Sequence, residues 1–323
     1  MMKRSAVLFA ILLCCSVAAS SDAPQRPHIF GIANVRILTS DLGHSKEFFS
    51  KVLSEDHPCV WCGQTSKNTF SANHIQYVQL ATVPPAVPSS LVDEITFETD
   101  DVPGLWRYLT TQGIKAVNVE PALDDNPAIR QILEAQKPSQ KAKKEQAPPT
   151  EFFSVRDPEG HRIGFVQLPA DLQKPQAAAN KMRLIHAGII VNDRAEEDRF
   201  YKEVLGFHVY WHGGMKDGED HWVDMQVPDG TDWIEYMLNV PANADKHTLG
   251  VMNHIAIGVS DVAQSAYELE KKGISLKEQP KIGRDGKWQL NLYDPDDTRV
   301  EFMEFTPVQK PCCSEYTGPH PKP

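Results

Sequence analysis

Hydrophobic and polar positions along this chain repeat one local plan four times. The stretch IANVRILTSDLGHSKEFFSKVLS, from Ile32, reads as an alternating strand, an Asp near a turn and an amphipathic helix. Its apolar helix face is Phe48, Phe49, Val52 and Leu53. IHAGIIVNDRAEEDRFYKEVLGF, from Ile185, has the same layout, with Phe200, Tyr201, Val204 and Leu205 on the face. A second pair, DEITFETDDVPGLWRYLTTQG from Asp93 and NHIAIGVSDVAQSAYELEKKG from Asn253, follows the plan and ends at Gly113 and Gly273, which suit helix C-termini. Further strand-like runs follow each helix. SVRDPEGHRIGFVQL and NLYDPDDTRVEFMEF carry Asp-Pro turns and read as hairpins.

The pattern predicts an α+β protein of four β-α-β-β-β modules in two domains, residues 28–169 and 183–307. The basic, Pro-rich stretch 137–149 reads as a solvated loop, and the Pro-rich tail 308–323 as a segment without regular structure. At the N-terminus, Lys3 and Arg4 precede the apolar run Ala6 to Leu13 and the small residues Val17 to Ser20. That is the layout of a secretory signal peptide over residues 1–22. The run is too short to span a bilayer. An exported protein follows, periplasmic or extracellular, with no membrane contact after cleavage.

With 323 residues, 41% hydrophobic and 24% charged, the chain can bury two cores. A net charge of -10 argues against nucleic acid as partner, because phosphate neutralisation needs a basic face. Beyond the signal segment the cysteines are Cys59, Cys62, Cys312 and Cys313. Their spacing is poor for tetrahedral zinc, so disulfides or free thiols are expected.

Chemistry concentrates in the second half. His254 alternates with Ala256 and Gly258, and His186 with Gly188; a large imidazole beside such small residues predicts an open cavity. Glu235 lies between Ile234 and Tyr236, and Glu301 between Val300 and Phe302. A carboxylate in an apolar strand is costly without a cation. Two imidazoles and two carboxylates on four strands suit one divalent ion: Ni, Zn, Co, Mn or Fe(II). Alignment of the repeats sets Asn34 against His186, Gln76 against Glu235, Glu94 against His254 and Gly164 against Glu301, so the first half lacks the shell.

Paired modules with ligands at these positions resemble the vicinal oxygen chelate superfamily of glyoxalase I, extradiol dioxygenases and bleomycin-resistance proteins. RLIHAGIIV, WIEYML, NHIAIGV and YDPDDTRVEFME are similar to its ligand-bearing strands. The resemblance implies metal ligands His186, Glu235, His254 and Glu301, and a small substrate with vicinal oxygens. The complete set favours glyoxalase-like isomerase or lyase chemistry, with Glu301 or Glu235 as the base. The alternatives are an Fe(II) extradiol dioxygenase using His186, His254 and Glu301, and a sequestering protein without turnover. Tyr293, His247 and His221 are candidates for additional site residues of a dioxygenase. Trp211, Trp222, Trp233 and Trp288 are pocket or core aromatics.

Overall fold

The computed structural model describes residues 24–53, 59, 68–83, 90–117, 152–170, 172 and 182–323. The expected signal segment, the basic insert at 137–149 and Cys62 lie outside these residues. Strands β1 (Ile29–Thr39), β2 (Thr69–Ser71), β3 (Tyr77–Thr82), β4 (Val92–Thr99), β5 (Phe152–Arg156) and β6 (Arg162–Val166) form one sheet in the order β2-β3-β1-β4-β6-β5. The second sheet contains β7 (Arg183–Ile190), β8 (His208–Gly213), β9 (Trp222–Gln226), β10 (Trp233–Met237), β11 (His254–Val259), β12 (Lys281–Ile282), β13 (Trp288–Tyr293) and β14 (Arg299–Glu304). Its order is β12-β13-β14-β11-β7-β10-β9-β8.

Helices α1 (Leu42–Val52) and α2 (Val102–Thr111) cross the first sheet's repeat. In the second half, α3 (Arg194–Asp198) continues as a π-helical turn over Arg199–Val204, and α4 (Lys246–Met252) and α5 (Val262–Lys271) follow. The second sheet is therefore two complete β-α-β-β-β units, joined where β7 and β11 pair antiparallel. Helix α4 is an addition to the repeated plan.

The repeated Asp residues are helix N-caps. Asp41, Asp101, Asp193 and Asp261 each accept from backbone N–H groups of the first turn. Gly113 and Gly273, at φ 79° and 81°, end α2 and α5 in the left-handed conformation that glycine adopts without strain. The helix faces pack Phe49, Leu105, Leu109, Tyr201 and Leu269 into one core with the outward-facing sheet residues Ile255, Ile257 and Val259. That leaves the other face of β11, with His254, Ala256 and Gly258, for the interior of the curved sheet.

Both Asp-Pro turns are hairpins, joining β5 to β6 and β13 to β14. The halves meet along β1 and β7, where Gln76 Nε2 donates to the carbonyls of Ile32 (2.7 Å) and Leu184 (2.9 Å). Buried Asp232 accepts from Ile32 N–H and pairs with Arg183.

The tail has no helix or strand, yet it is anchored. Trp211 Nε1 donates to the Cys312 carbonyl (3.1 Å), Thr317 N to Tyr210 (3.0 Å), and Gln226 Nε2 to Pro319 (3.0 Å). Cys312 and Cys313 form a vicinal disulfide, and Cys59 is also disulfide-bonded.

Candidate metal centre

Strand register brings the four expected ligands onto one face. Across the β7–β11 pair, His186 stands opposite Ala256 and His254 opposite Gly188. Parallel β10 sets Glu235 beside Gly188, and parallel β14 sets Glu301 beside Ala256. His186 Nε2 and His254 Nε2 are 3.0 Å apart. Glu235 Oε2 lies 2.9 Å from His254 Nε2 and 3.7 Å from His186 Nε2. Glu301 Oε2 is 3.7 Å and 3.9 Å from the same two nitrogens. The tightest metal-competent group is His186, Glu235 and His254, with Glu301 at its edge.

These donors fit a divalent ion. Metal–nitrogen bonds of about 2.0–2.1 Å place neighbouring ligand atoms roughly 3 Å apart, which is the spacing of the imidazole pair. His186 Nδ1 is a buried atom without a partner among the described residues. Burial holds both imidazoles well below the ordinary histidine range, and Arg299 adds to this at His254. They are therefore neutral, as metal ligation requires. Burial pushes the Glu301 carboxyl up to about 7.

The small residues beside the histidines have different jobs. A Cβ on Gly188 would fall inside the His254 ring, so that glycine makes room for the imidazole. The expected open space at Gly258 is instead filled by Phe305 and Ile185. The cause is packing: the chain runs on from β14 into Phe305, whose ring closes that end of the interior.

The first half confirms three of the four repeat alignments and corrects one. Asn34 stands opposite Thr96 as His186 does opposite Ala256, Glu94 opposite Arg36 as His254 does opposite Gly188, and Gly164 beside Thr96 as Glu301 does beside Ala256. Glu235, however, corresponds to Gln79, which pairs with Arg36. Gln76 corresponds to Asp232, three residues before Glu235, and both serve the β1–β7 seam. The first half also closes its interior. Arg36 replaces Gly188, and with Arg162 it pairs with Glu94 at 3.4 Å and 2.8 Å.

Several site residues escaped the sequence reading. Arg299 donates to His254 Nε2 at 2.7 Å and lies 3.9 Å from Glu235. A signal existed, because Arg162 holds the equivalent position in the first half. Lys287 is fully buried, its ammonium 4.7 Å from the Trp233 ring, 5.2 Å from Tyr316 and 5.3 Å from Tyr210. Asp224, buried beside Glu235 on β9, has its carboxyl raised well above the usual range by burial and by the Glu235 charge.

A cavity of about 470 Å³ opens over the four ligands' face and includes His186, Glu235 and Glu301 in its lining. Trp211, Trp222 and Trp233 line it as well, together with the cations Lys281, Arg284 and Lys310. Trp233 also tilts against the His186 ring at 4.8 Å. Trp288 packs against the core instead. None of Tyr293, His247 and His221 lines the cavity. Tyr293 donates to Glu278, and His247 is exposed on α4.

Residues 183–302 match the Glyoxalase/Bleomycin resistance protein/Dioxygenase superfamily. This segment is a domain of that superfamily. Its fold and tandem arrangement recur in solved structures of two-domain members. An extradiol ring-cleaving dioxygenase from B. fuscum is 18% identical at a TM-score of 0.54, covering 94% of this chain and 76% of that one. Homoprotocatechuate 2,3-dioxygenase from Arthrobacter globiformis is 18% identical at 0.52, covering 86% and 80%. The Brevibacterium fuscum enzyme in complex with 3,4-dihydroxyphenylacetate is 20% identical at 0.53, covering 92% and 84%. No curated protein matches the chain in sequence.

Proposed function

We propose that the superfamily domain is a divalent-metal enzyme acting on a small substrate with two adjacent oxygens, by glyoxalase-like proton transfer. The observation that carries this reading is Glu235 Oε2, which stands within 2.9 Å and 3.7 Å of the two histidine nitrogens and so joins the ligand group. His186, His254, Glu235 and Glu301 would hold the ion. A bound cation supplies Lewis acidity, polarising the substrate oxygens and acidifying an adjacent C–H.

The chain's own residues do the rest. Glu235 faces the cavity and is placed to take the proton and return it. Trp211, Trp222 and Trp233 exclude water and pack against the substrate's apolar part. Lys281, Arg284 and Lys310 favour a substrate that also carries negative charge. The Cys312–Cys313 disulfide supports an oxidising setting outside the cytosol.

The tandem architecture shared with extradiol dioxygenases supports a second reading. There Fe(II) would be held by His186, His254 and Glu301, leaving Glu235 free for acid–base work on a catechol. Loading chelator-stripped protein separately with Ni(II), Zn(II) and Fe(II) distinguishes the two. Hemithioacetal isomerisation with Ni(II) or Zn(II) supports the first. Oxygen uptake with a catechol, only with Fe(II), replaces it by the second. Ligand binding without turnover under any loading replaces both by sequestration.

A further inference from the structure

The two Asp-Pro hairpins dock across the seam between the halves in equivalent ways, and one docking corner carries chemistry that the other lacks. At the first corner, the turn after β13 meets the start of α1. Asp296 accepts from Thr39 Oγ1 (2.8 Å), Ser40 N (2.7 Å) and Ser40 Oγ (2.5 Å). At the second, the turn after β5 meets the start of α3. There Glu159, the counterpart of Asp296, accepts from Asn192 N (2.6 Å), Asn192 Nδ2 (2.7 Å) and Asp193 N (2.6 Å). Inside each turn the leading Asp caps its own loop: Asp294 accepts from Thr298 N, and Asp157 from His161 N.

The corners diverge just behind these contacts. The first has Thr298, Ser45 and Phe49, all buried and uncharged. The second has His161, Glu197 and Tyr201 at the same three places. At these three places the first corner docks without an ionisable group, and its Asp296 is instead balanced by Lys246, whose Nζ donates to Oδ1 at 3.1 Å. Yet at the second, Asp157, His161 and Glu197 bring one ligand atom each to within 4.8 Å of one another. His161 Nδ1 is 2.7 Å from Asp157 Oδ2, to which Tyr201 also donates at 3.0 Å. Glu197 is wholly buried. Its Oε1 accepts from Glu159 N–H, and its Oε2 has no partner among the described residues.

We infer that Asp157, His161 and Glu197 form a second divalent-cation site, one that clamps the β5–β6 turn of the first half to α3 of the second. An imidazole and two carboxylates suit Zn(II) or Mn(II). A cation there neutralises two adjacent buried carboxylates and gives the orphaned Glu197 oxygen a partner. Consistently, burial and the Asp157 charge push the Glu197 carboxyl up to about 8, and a bound cation would displace that proton. The site is separate from the His186–His254 cluster and does not depend on that cluster's function.

The test is zinc stoichiometry on the full chain, stripped with chelator, dialysed against Zn(II) and measured by elemental analysis. Four proteins are compared: the unaltered chain, Glu197→Gln, His161→Asn and His254→Ala. Glu197→Gln and His161→Asn should each bind one zinc fewer than the unaltered chain. His254→Ala should retain one zinc, and zinc should raise its melting temperature by several degrees. Adding Glu197→Gln to His254→Ala should abolish that rise. Equal zinc in the unaltered chain, Glu197→Gln and His161→Asn would overturn the clamp. So would a His254→Ala protein that binds no zinc. Should the principal cluster bind no metal, the unaltered chain would hold a single zinc that Glu197→Gln removes, so the two readings fail separately.

Discussion

Glu235 reaches across to the neighbouring ligand strand, its Oε2 lying 2.9 Å from Nε2 of His254. This contact unites β10 with β11, although β7 runs between them. The choice of chemistry turns on it. Replacing Glu235 by Gln keeps the shape and removes the base, so turnover should fall by about 10²–10⁴-fold. Both Glu235→Gln and Glu301→Gln should reduce metal retention, so the loss of the base is read from turnover at saturating metal. Measuring kcat and metal content side by side checks this, and full activity in Glu235→Gln would remove Glu235 from the mechanism.

Gly188 tests how the imidazole is seated. A methyl group there would occupy the space of the His254 ring. Gly188→Ala should weaken metal binding by at least about 10-fold, in the range seen when support for a ligand is lost. The rest of the sheet should be unaffected. Competition with a chelator of known affinity reads the change, and an unaltered affinity would show that His254 is not held in this rotamer.

Lys287 is a buried cation ringed by Trp233, Tyr210 and Tyr316 and surrounded by the charges of Asp285, Asp224 and Glu301. Its Nζ makes no hydrogen bond among the described residues, so on hydrogen bonding alone Lys287→Met would be harmless. The electrostatics say otherwise. Removing the cation leaves buried carboxylates uncompensated, a change that costs about 3–5 kcal/mol. Urea unfolding of the variant should show that loss; a gain in stability would mean the carboxylates are already protonated.

Asp294 gives a pH signature. Burial pushes its carboxyl up to about 7, whereas an unfolded Asp titrates near 3.9. Between about pH 4 and 7 the folded chain holds a proton that the unfolded chain has released. Its stability contribution is thus complete below about pH 4 and is lost as pH rises through about 7. Relative to the unaltered chain, Asp294→Asn should gain roughly 1–4 kcal/mol between pH 4 and pH 8. Parallel stability–pH curves for the two proteins would contradict the assignment.

Much of this was legible in the residues themselves. The four Asp caps and the glycines ending α2 and α5 are local patterns, and each landed where its period placed it. The error at Gln76 shows where local reading stops. Gln76 and Gln79 sit three residues apart near the same strand, and only the ladder between β1 and β3 decides which faces the interior. Arg299 was visible in principle, since the aligned hairpins carry Arg162 at the same place, but its role depends on what β11 offers opposite it.

The sequence by itself determined the repeated strand–helix plan and the four polar side chains of the second half, His186, Glu235, His254 and Glu301, that stand on its ligand-bearing strands. Side-chain periodicity and helix capping are set by neighbours a few positions away, which is why they can be read along the chain. Only the tertiary structure decided that Phe305 fills the space at Gly258, that three aromatic rings enclose Lys287, and that Asp157, His161 and Glu197 meet across the seam. Those contacts join residues far apart in the chain. Strand register and the docking of the two halves fix them, and neither leaves a local trace.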